Sequence, residues 1–382
     1  MYNIATLNKI SPVGLAHFCD KYTISDEVAG SSGILVRSQD MHDMEFDKHL
    51  LAIARAGAGV NNIPLEKCAE EGIVVFNTPG ANANAVKELT LAGLFLAARN
   101  IPAGIAWASS LTENVSKAVE KGKSQFAGTE IKGKTLGVIG LGAIGGMVAN
   151  AAVDLGMKVI GYDPYFSVKA AHQLYSCVDV KADLKDLLPE CDYISLHIPA
   201  TDSTKGMFNA ELFGQMKDGA ILLNFSRDKL VNETDLLAAL ESRKLGKYVC
   251  DFATEGTLNK ENIIVLPHLG ASTAEAEDNC ATMAVWQMKD YIENGNIVNS
   301  VNFPAVNLGP MKGDNRICII TKDEPYPVKL AAAMFANINI KAIAGGTRGA
   351  FGYALISTDD MITSVPAVDG VIRVRVIQPD EF

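Results

Sequence analysis

The sequence predicts an α/β protein whose central part is a doubly wound parallel sheet. Three observations lead there. From Thr135 onward, six apolar runs follow in order (LGVIG, KVIGYD, YISLHIP, AILLNFS, KYVCDF and NIIVLPH), most of them separated by helical or loop sequence. Continuous apolar strands alternating with helices are the mark of a parallel sheet covered on both faces. The first hundred or so residues repeat the same βα pattern with GILVRS, LLAIARAG and GIVVFNTPG. Beyond a Gly/Pro/Asn-rich passage, NGNIVNSVNFPAVNLGPMKGDN, a smaller unit runs strand, helix, strand, strand, short helix or turn, strand. That βαββαβ order fits a ferredoxin-like sheet with helices on one face.

These elements divide the 382 residues into three parts. Residues 1–98 and 285–305 are expected to form a flavodoxin-like, substrate-binding domain. Residues 99–284 form a nucleotide domain of the Rossmann type, and residues 315–382 form the small C-terminal unit. Ala85–Arg99 and Ala274–Glu293 read as long helices, whereas residues 100–130 carry little pattern.

The most informative stretch is TLGVIGLGAIGGMVANAAVDLGMKVIGYD, Thr135 to Asp163. The run Leu136 to Ile139 is a strand. Gly140, Gly142 and Gly145 follow in GxGxxG spacing. A helix then places Ile144, Val148, Ala152 and Leu155 on one face, and a second strand from Lys158 to Gly161 ends at Asp163. In such a turn one glycine bends the chain, one admits a pyrophosphate close to the backbone, and one lets helix and strand approach. Phosphates are held by free N–H groups at the helix start, here around Ala143 and Ile144. Asp163 can accept hydrogen bonds from a ribose 2′-hydroxyl and would repel a 2′-phosphate, so the expected cofactor is NAD rather than NADP.

Bulk properties narrow the class. Apolar content of 48% supports real cores, and a formal charge of −10 with interspersed signs argues against nucleic acid and anionic membranes as partners. The seven cysteines form no CxxC pair, so neither a disulfide framework nor a metal site is expected. With no signal peptide and no apolar stretch approaching the ~18 residues of a membrane span, the expectation is a cytoplasmic protein.

Ligand chemistry in parallel sheets sits past the C-terminal strand ends. The residues there are His197, Asn224 to Arg227, Asp251 and His268. A nicotinamide site needs a group that moves a proton while hydride moves, and histidine titrates near neutrality. His268, in LPHLGAST, has room for a ligand beside Gly270 and Ala271. His197, with Ile198 and Pro199 after it, is better placed to line the cofactor pocket. Glu255, thirteen residues before His268, is spaced to bring a carboxylate to the imidazole. Arg227 can bind a carboxylate in bidentate fashion. Each is also open to a structural reading at this point: a satisfied histidine, a solvent-facing glutamate, a surface arginine closing a strand.

Taken together, RAGAGVNNI from Arg55, GLGAIG, LLNFSR and PHLGAST resemble, in order and spacing, four motifs of the D-isomer-specific 2-hydroxyacid dehydrogenases. The resemblance covers nearly the whole chain. It implies a catalytic trio of Arg227, Glu255 and His268. It implies cofactor contacts at Gly140, Gly142, Ala143, Ile144, Gly145, Asp163, His197, Ile198, Pro199, Phe225, Ser226, Asp251, Gly270 and Ala271. Within the family the chain is similar to members that oxidise 3-phospho-D-glycerate, the first step of serine biosynthesis, and that carry a C-terminal ACT domain. A phosphorylated hydroxy acid requires further cations, which the resemblance places at Arg37 and Arg55, with Ala58, Gly59 and Asn82 as additional substrate contacts. It also implies a homodimer or larger homo-oligomer. Another 2-hydroxy acid as substrate, or an NAD-binding scaffold on the same fold, are the alternatives.

The sequence departs from the family at several points. Asp228 and Lys229 follow the arginine where Gly-Gly is usual, which strains any turn needing positive φ. Gly256 stands where proline is common, and Asn61 replaces a common aspartate. DEPYPVKL, with Lys329, occupies the place where ligand-binding ACT domains often have glycine, which argues against feedback by serine.

Overall fold

The computed structural model describes residues 1–379 and divides into two compact units, Met1–Asn82 with Ala274 onward, and Ala83–Thr273. The last three residues of the expected C-terminal unit lie outside the described residues.

The first unit is built on five parallel strands: β1 (Tyr2–Leu7), β2 (Tyr22–Ser25), β3 (Gly33–Val36), β4 (Ala52–Arg55) and β5 (Val74–Phe76), in the order β2-β1-β3-β4-β5. This is the flavodoxin-like order expected from the sequence. β3 is buried along its whole length. Its alternate residues serve two cores, as strand geometry requires. Leu35 joins Ile4, Phe76 and the helix Ala274–Asn294 on one face. Ile34 and Val36 join Ile53, Val75 and Cys68 on the other.

The second unit holds seven parallel strands: β6 (Thr135–Ile139), β7 (Lys158–Tyr162), β8 (Asp179–Lys181), β9 (Tyr193–Leu196), β10 (Ala220–Asn224), β11 (Leu245–Cys250) and β12 (Ile263–Val265). Their order, β12-β11-β10-β9-β6-β7-β8, reverses direction between β6 and β9, which makes that junction the switch point of a Rossmann sheet. The helix Ala143–Asp154 follows β6 and buries Gly145, Val148, Ala149 and Ala152. Leu155, expected on that buried face, is instead the capping residue past the last turn and is exposed.

The domain boundaries differ from those expected at residues 98/99 and 284/285. The helix Ala83–Arg99 belongs to the second unit, because Val86, Leu94, Ala97 and Ala98 pack with Leu136, Val138, Leu223 and Val249. The helix Ala274–Asn294 belongs wholly to the first, because Ala281, Ala284, Val285 and Met288 complete that unit's core. Residues 100–130, unpatterned in sequence, fold into helices Ile101–Ser109 and Val115–Gly122 that bury no residue. The break from the preceding helix falls at Asn100, at φ 52°.

The C-terminal strands β13 (Asn315–Lys322), β14 (Ile340–Arg348), β15 (Phe351–Thr358) and β16 (Val371–Ile377) form an antiparallel sheet in the order β14-β15-β13-β16. The helix Pro327–Met334 is present, but the second helix of a βαββαβ unit is not: residues 359–370, with Pro366 and several β-branched side chains, form turns and irregular chain. Helices were expected on one face only. In fact both faces are covered. Ile317, Ile319, Ala354 and Ile356 pack with Ala331 and Phe335. Their alternate neighbours Cys318, Ile320, Tyr353 and Leu355 enter the core with Tyr291 and Ile292. Arg375 of β16 lies over the Tyr291 ring, 4.7 Å to its centroid, and donates to the Ile292 carbonyl at 2.7 Å and the Tyr291 carbonyl at 2.5 Å. The Tyr291 carbonyl also accepts from the Gly295 N–H at 3.0 Å, so the cation adds a second donor there and suits the dipole at the helix end.

Among the described residues, no single helix is long and apolar enough to cross a membrane.

Candidate active site

The glycine turn sits where β6 meets its helix. Gly140 has φ +90°, and a side chain there would run into the His197 carbonyl. A Cβ at Gly145 would collide with the Gly140 carbonyl oxygen. Both positions therefore exclude any side chain, one by backbone conformation and one by close approach. Gly142 is different: a Cβ there meets nothing within 4 Å, so this side of the turn is open. Asp163, just past β7, accepts from the Leu141 N–H at 2.9 Å and from the Tyr165 N–H at 2.8 Å. Its carboxylate thus braces the turn and retains lone pairs for a further donor.

His197, half-buried, packs against the turn at Gly140 and Gly145. Its Nε2 is 2.8 Å from the Ser195 hydroxyl, and burial pushes the imidazole down to about 3, so the ring is neutral. Nδ1 is buried without a hydrogen-bond partner. Ile198 packs against Gly140 and the core below it, and Pro199 is exposed. The Phe225 side chain turns away from the strand ends. It is buried in the core against Gly93 and Val249 surrounds, which leaves its backbone as the part facing the strand ends.

The groups with reaction chemistry occupy the ends of β10, β11 and β12. Arg227 is exposed and extended, and it donates to the Ser226 carbonyl at 2.6 Å. Its backbone is held from below. Asn224 donates to the Arg227 carbonyl at 2.8 Å and accepts from the Ser226 N–H at 3.2 Å, while the Ser226 hydroxyl donates to the Leu196 carbonyl at 2.6 Å. Asp228 and Lys229 need no positive φ, because they enter a 3₁₀ turn that ends at Leu230. This removes the strain expected from the missing glycines.

His268 is exposed and stands at φ +52°, a conformation costly for a bulky residue and concentrated at functional sites. Phe252 meets its ring edge-on at 5.1 Å between centroids. Asp251, at the end of β11, is only 1% exposed and accepts from the Gly270 N–H at 3.1 Å through one oxygen. The other oxygen is buried without a partner. Burial pushes the Asp251 carboxyl above its usual range, against the Gly270 hydrogen bond and the nearby charges of His268 and Arg227. Ala271 follows on the same loop, half-buried.

Glu255 stands on the loop between β11 and β12. It is exposed, and no hydrogen bond or ion pair joins it to His268. Its loop is tied elsewhere: the Thr254 hydroxyl donates to Glu233 at 2.6 Å and lies 2.9 Å from the Thr257 hydroxyl. The short loop turns on these threonines.

Within the first unit, Arg55 is fixed by its own loop. It donates to the Arg37 carbonyl at 2.9 Å and to the Gly59 carbonyl at 2.5 Å. The Ala58 carbonyl accepts from Asn77 at 2.7 Å, and half-buried Asn82 closes the segment. Arg37 makes a 2.8 Å ion pair with Glu277, a residue that sequence reasoning did not single out. Nothing local in the chain could have found it, because the two lie at opposite ends of the sequence. Asn224 was also given no specific role, though its place after a buried strand was the available signal.

Comparison with known proteins bears on these observations. Residues 91–270 match the family model described as D-isomer specific 2-hydroxyacid dehydrogenase, NAD binding domain. The chain is 34% identical to D-3-phosphoglycerate dehydrogenase of Methanocaldococcus jannaschii, over 90% of this chain and 63% of that protein. It is 34% identical to the enzyme of the same name from Haemophilus influenzae, over 87% of this chain and 83% of that one. The chain therefore spans less than two thirds of the archaeal relative. Among solved structures, the NAD⁺-bound 3-phosphoglycerate dehydrogenase of Entamoeba histolytica aligns with TM-score 0.61 and 26% identity, covering 79% of this chain and 98% of that one. The TT0316 protein of Thermus thermophilus aligns with TM-score 0.65 and 26% identity, over 78% and 99%.

Proposed function

The chain belongs to the D-isomer-specific 2-hydroxyacid dehydrogenases, and from that premise we propose that it oxidises 3-phospho-D-glycerate at C2 to 3-phosphohydroxypyruvate with NAD, the entry step of serine biosynthesis. The observation that carries the reading is His268, held in a strained backbone conformation beside Asp251 in the same unit as the glycine turn.

The residues fit the cofactor. The turn is open at Gly142, free N–H groups begin the helix after it, Asp163 has acceptor capacity to spare, and Asp251 has a buried oxygen awaiting a donor. These residues, with Ser226 and the Gly270–Ala271 backbone, would hold NAD, which supplies the hydride acceptor when bound. Arg227 clamps the substrate carboxylate and polarises the C2 oxygen, a task suited to its planar fork. His268 takes the C2 hydroxyl proton as the C–H bond is lost. Glu255 reaches the imidazole through movement of its exposed side chain, and the resulting imidazolium is stabilised by a carboxylate. Arg37 and Arg55 hold the phosphate, and their placement in one cluster of the first unit supports that role.

The small antiparallel sheet is assigned an ACT-type regulatory role. A homo-oligomer is supported by the apolar surface of residues 101–115, where Ile105 is 61% and Val115 48% exposed. Sedimentation reads that state directly, and a monomer at all concentrations sinks it. Cytoplasmic residence accords with seven unpaired cysteines.

The test is NADH oxidation by the purified protein with 3-phosphohydroxypyruvate, run beside unphosphorylated hydroxypyruvate. The proposal expects turnover with clear preference for the phosphorylated compound. Equal rates with both would point to another 2-hydroxy acid. Tight NADH binding without turnover would point to a scaffold protein.

A further inference from the structure

The cations assigned to the substrate phosphate do not stand alone in the first unit. Arg37 follows β3, and its guanidinium pairs with Glu277 at 2.8 Å. Glu277 lies in the first turn of the helix Ala274–Asn294, and Arg55 is bonded to the Arg37 carbonyl. One turn further along that helix, Cys280 is buried among the same groups. Burial raises its thiol, contact with Thr78 and the charges of Arg37 and Arg55 pull it down, and Glu277 raises it. Arg37, Arg55, Thr78, Glu277 and Cys280 are therefore neighbours in one compact unit.

The chemistry of this cluster is uneven. Arg55 is part-buried and spends donors on backbone carbonyls, so its position is set by the loop. Arg37 is 39% exposed at its side chain and Glu277 is 44% exposed, so the pair is open to solvent and to exchange of partner. A carboxylate on a guanidinium mimics the ligand that an anion site is built to take, since both bind through paired N–H···O contacts. A half-exposed ion pair is also weak enough to be broken by a stronger anion.

We propose that Glu277 is a resident competitor for Arg37, an internal anion that the substrate phosphate must displace, and that it thereby weakens phosphate binding. The proposal rests on the phosphate-binding role of Arg37 given above and adds the residue that tunes it. Two charges of the cluster are positive and one is negative. A phosphate dianion meets both arginines only when Glu277 lets go, and while nearby the carboxylate also repels it. Removing the negative charge without changing shape should tighten phosphate binding, whereas a residue that merely oriented Arg37 would loosen it on removal. The two roles differ in sign.

The experiment uses the full chain and its Glu277→Gln, Arg37→Ala and doubly substituted forms. Binding of inorganic phosphate is titrated calorimetrically, and KM is measured for 3-phosphohydroxypyruvate and for hydroxypyruvate. Glu277→Gln is expected to bind inorganic phosphate roughly two- to five-fold more tightly, the range of a half-exposed ion pair. KM for the phosphorylated compound should fall by a similar factor, and KM for the unphosphorylated one should stay unchanged. In the Arg37→Ala background the Gln substitution should have no effect on phosphate affinity. Unchanged or weaker phosphate binding by Glu277→Gln overturns the proposal, as does a gain that persists without Arg37. A wild-type protein that fails to turn over 3-phosphohydroxypyruvate overturns the substrate reading instead. The phosphate titration still decides on Glu277 in that case.

Discussion

Two parts of the second unit, the glycine turn and the loops after β10 to β12, are held by different means. At the turn, side chains and backbone lock one another: Gly140 and Gly145 pack without room for a methyl group, and Asp163 is hydrogen-bonded across to Leu141. At the loops, the backbone is anchored through Asn224, Ser226 and Asp251, but the side chains of Arg227, Glu255 and His268 are exposed and unlinked to one another. The turn is thus part of the folded core, while the reactive side chains are carried on it. Changes at the first should cost stability together with cofactor binding, and changes at the exposed side chains of the second should leave stability largely intact.

The largest effect is expected of His268→Gly. Losing a general acid–base group should lower kcat by about 10²–10⁴-fold. Glycine also accepts positive φ freely, so relief of a strain of about 1–2 kcal/mol should offset the loss of the Phe252 contact and leave Tm unchanged or higher. A fall in Tm parallel to the fall in kcat would show that His268 is structural after all. Next comes Gly145→Ala, where the methyl group meets backbone that cannot rotate away. It should cost about 1–3 kcal/mol of stability and weaken NADH binding together. An unchanged Tm would mean that the turn yields readily.

The smallest effect near neutral pH is expected at His197, which packs against the turn. The folded state holds His197 neutral down to about 3, whereas an unfolded histidine gains its proton near 6.5. Between those values the unfolded chain binds more protons, so stability falls as pH falls, by about 1.4 kcal/mol per pH unit. Above 6.5 the contribution is flat. His197→Gln should flatten the acid limb of a urea-unfolding series measured from pH 7 to pH 5. An identical slope in both proteins would place the titrating group elsewhere.

The same contrast explains what was legible in the sequence. The turn is built from residues within one βαβ stretch, so Gly140, Gly142, Gly145 and Asp163 could be assigned from spacing alone. Buried parallel strands announce themselves as apolar runs, and this located His268, Arg227 and Asp251 at strand ends. Side-chain direction was not legible. Spacing could not show that Thr254 and Thr257 would turn the Glu255 loop, or that Phe225 would point into the core. Pairings across the chain were hidden as well: Glu277 on Arg37 joins residues that no local pattern relates. The C-terminal sheet shows a third limit. Its apolar strands were clear, but the partner of its second face was not, because an alternating strand does not say what lies on either side.

The guanidinium of Arg375 works as a rivet between the last strand and the carbonyl end of the helix Ala274–Asn294. The C-terminal sheet is thereby no detachable appendage. Cutting the chain in the linker near Pro310 would strip Tyr353 and Arg375 from Tyr291 and Ile292, and the trimmed product would clump instead of serving as a minimal enzyme.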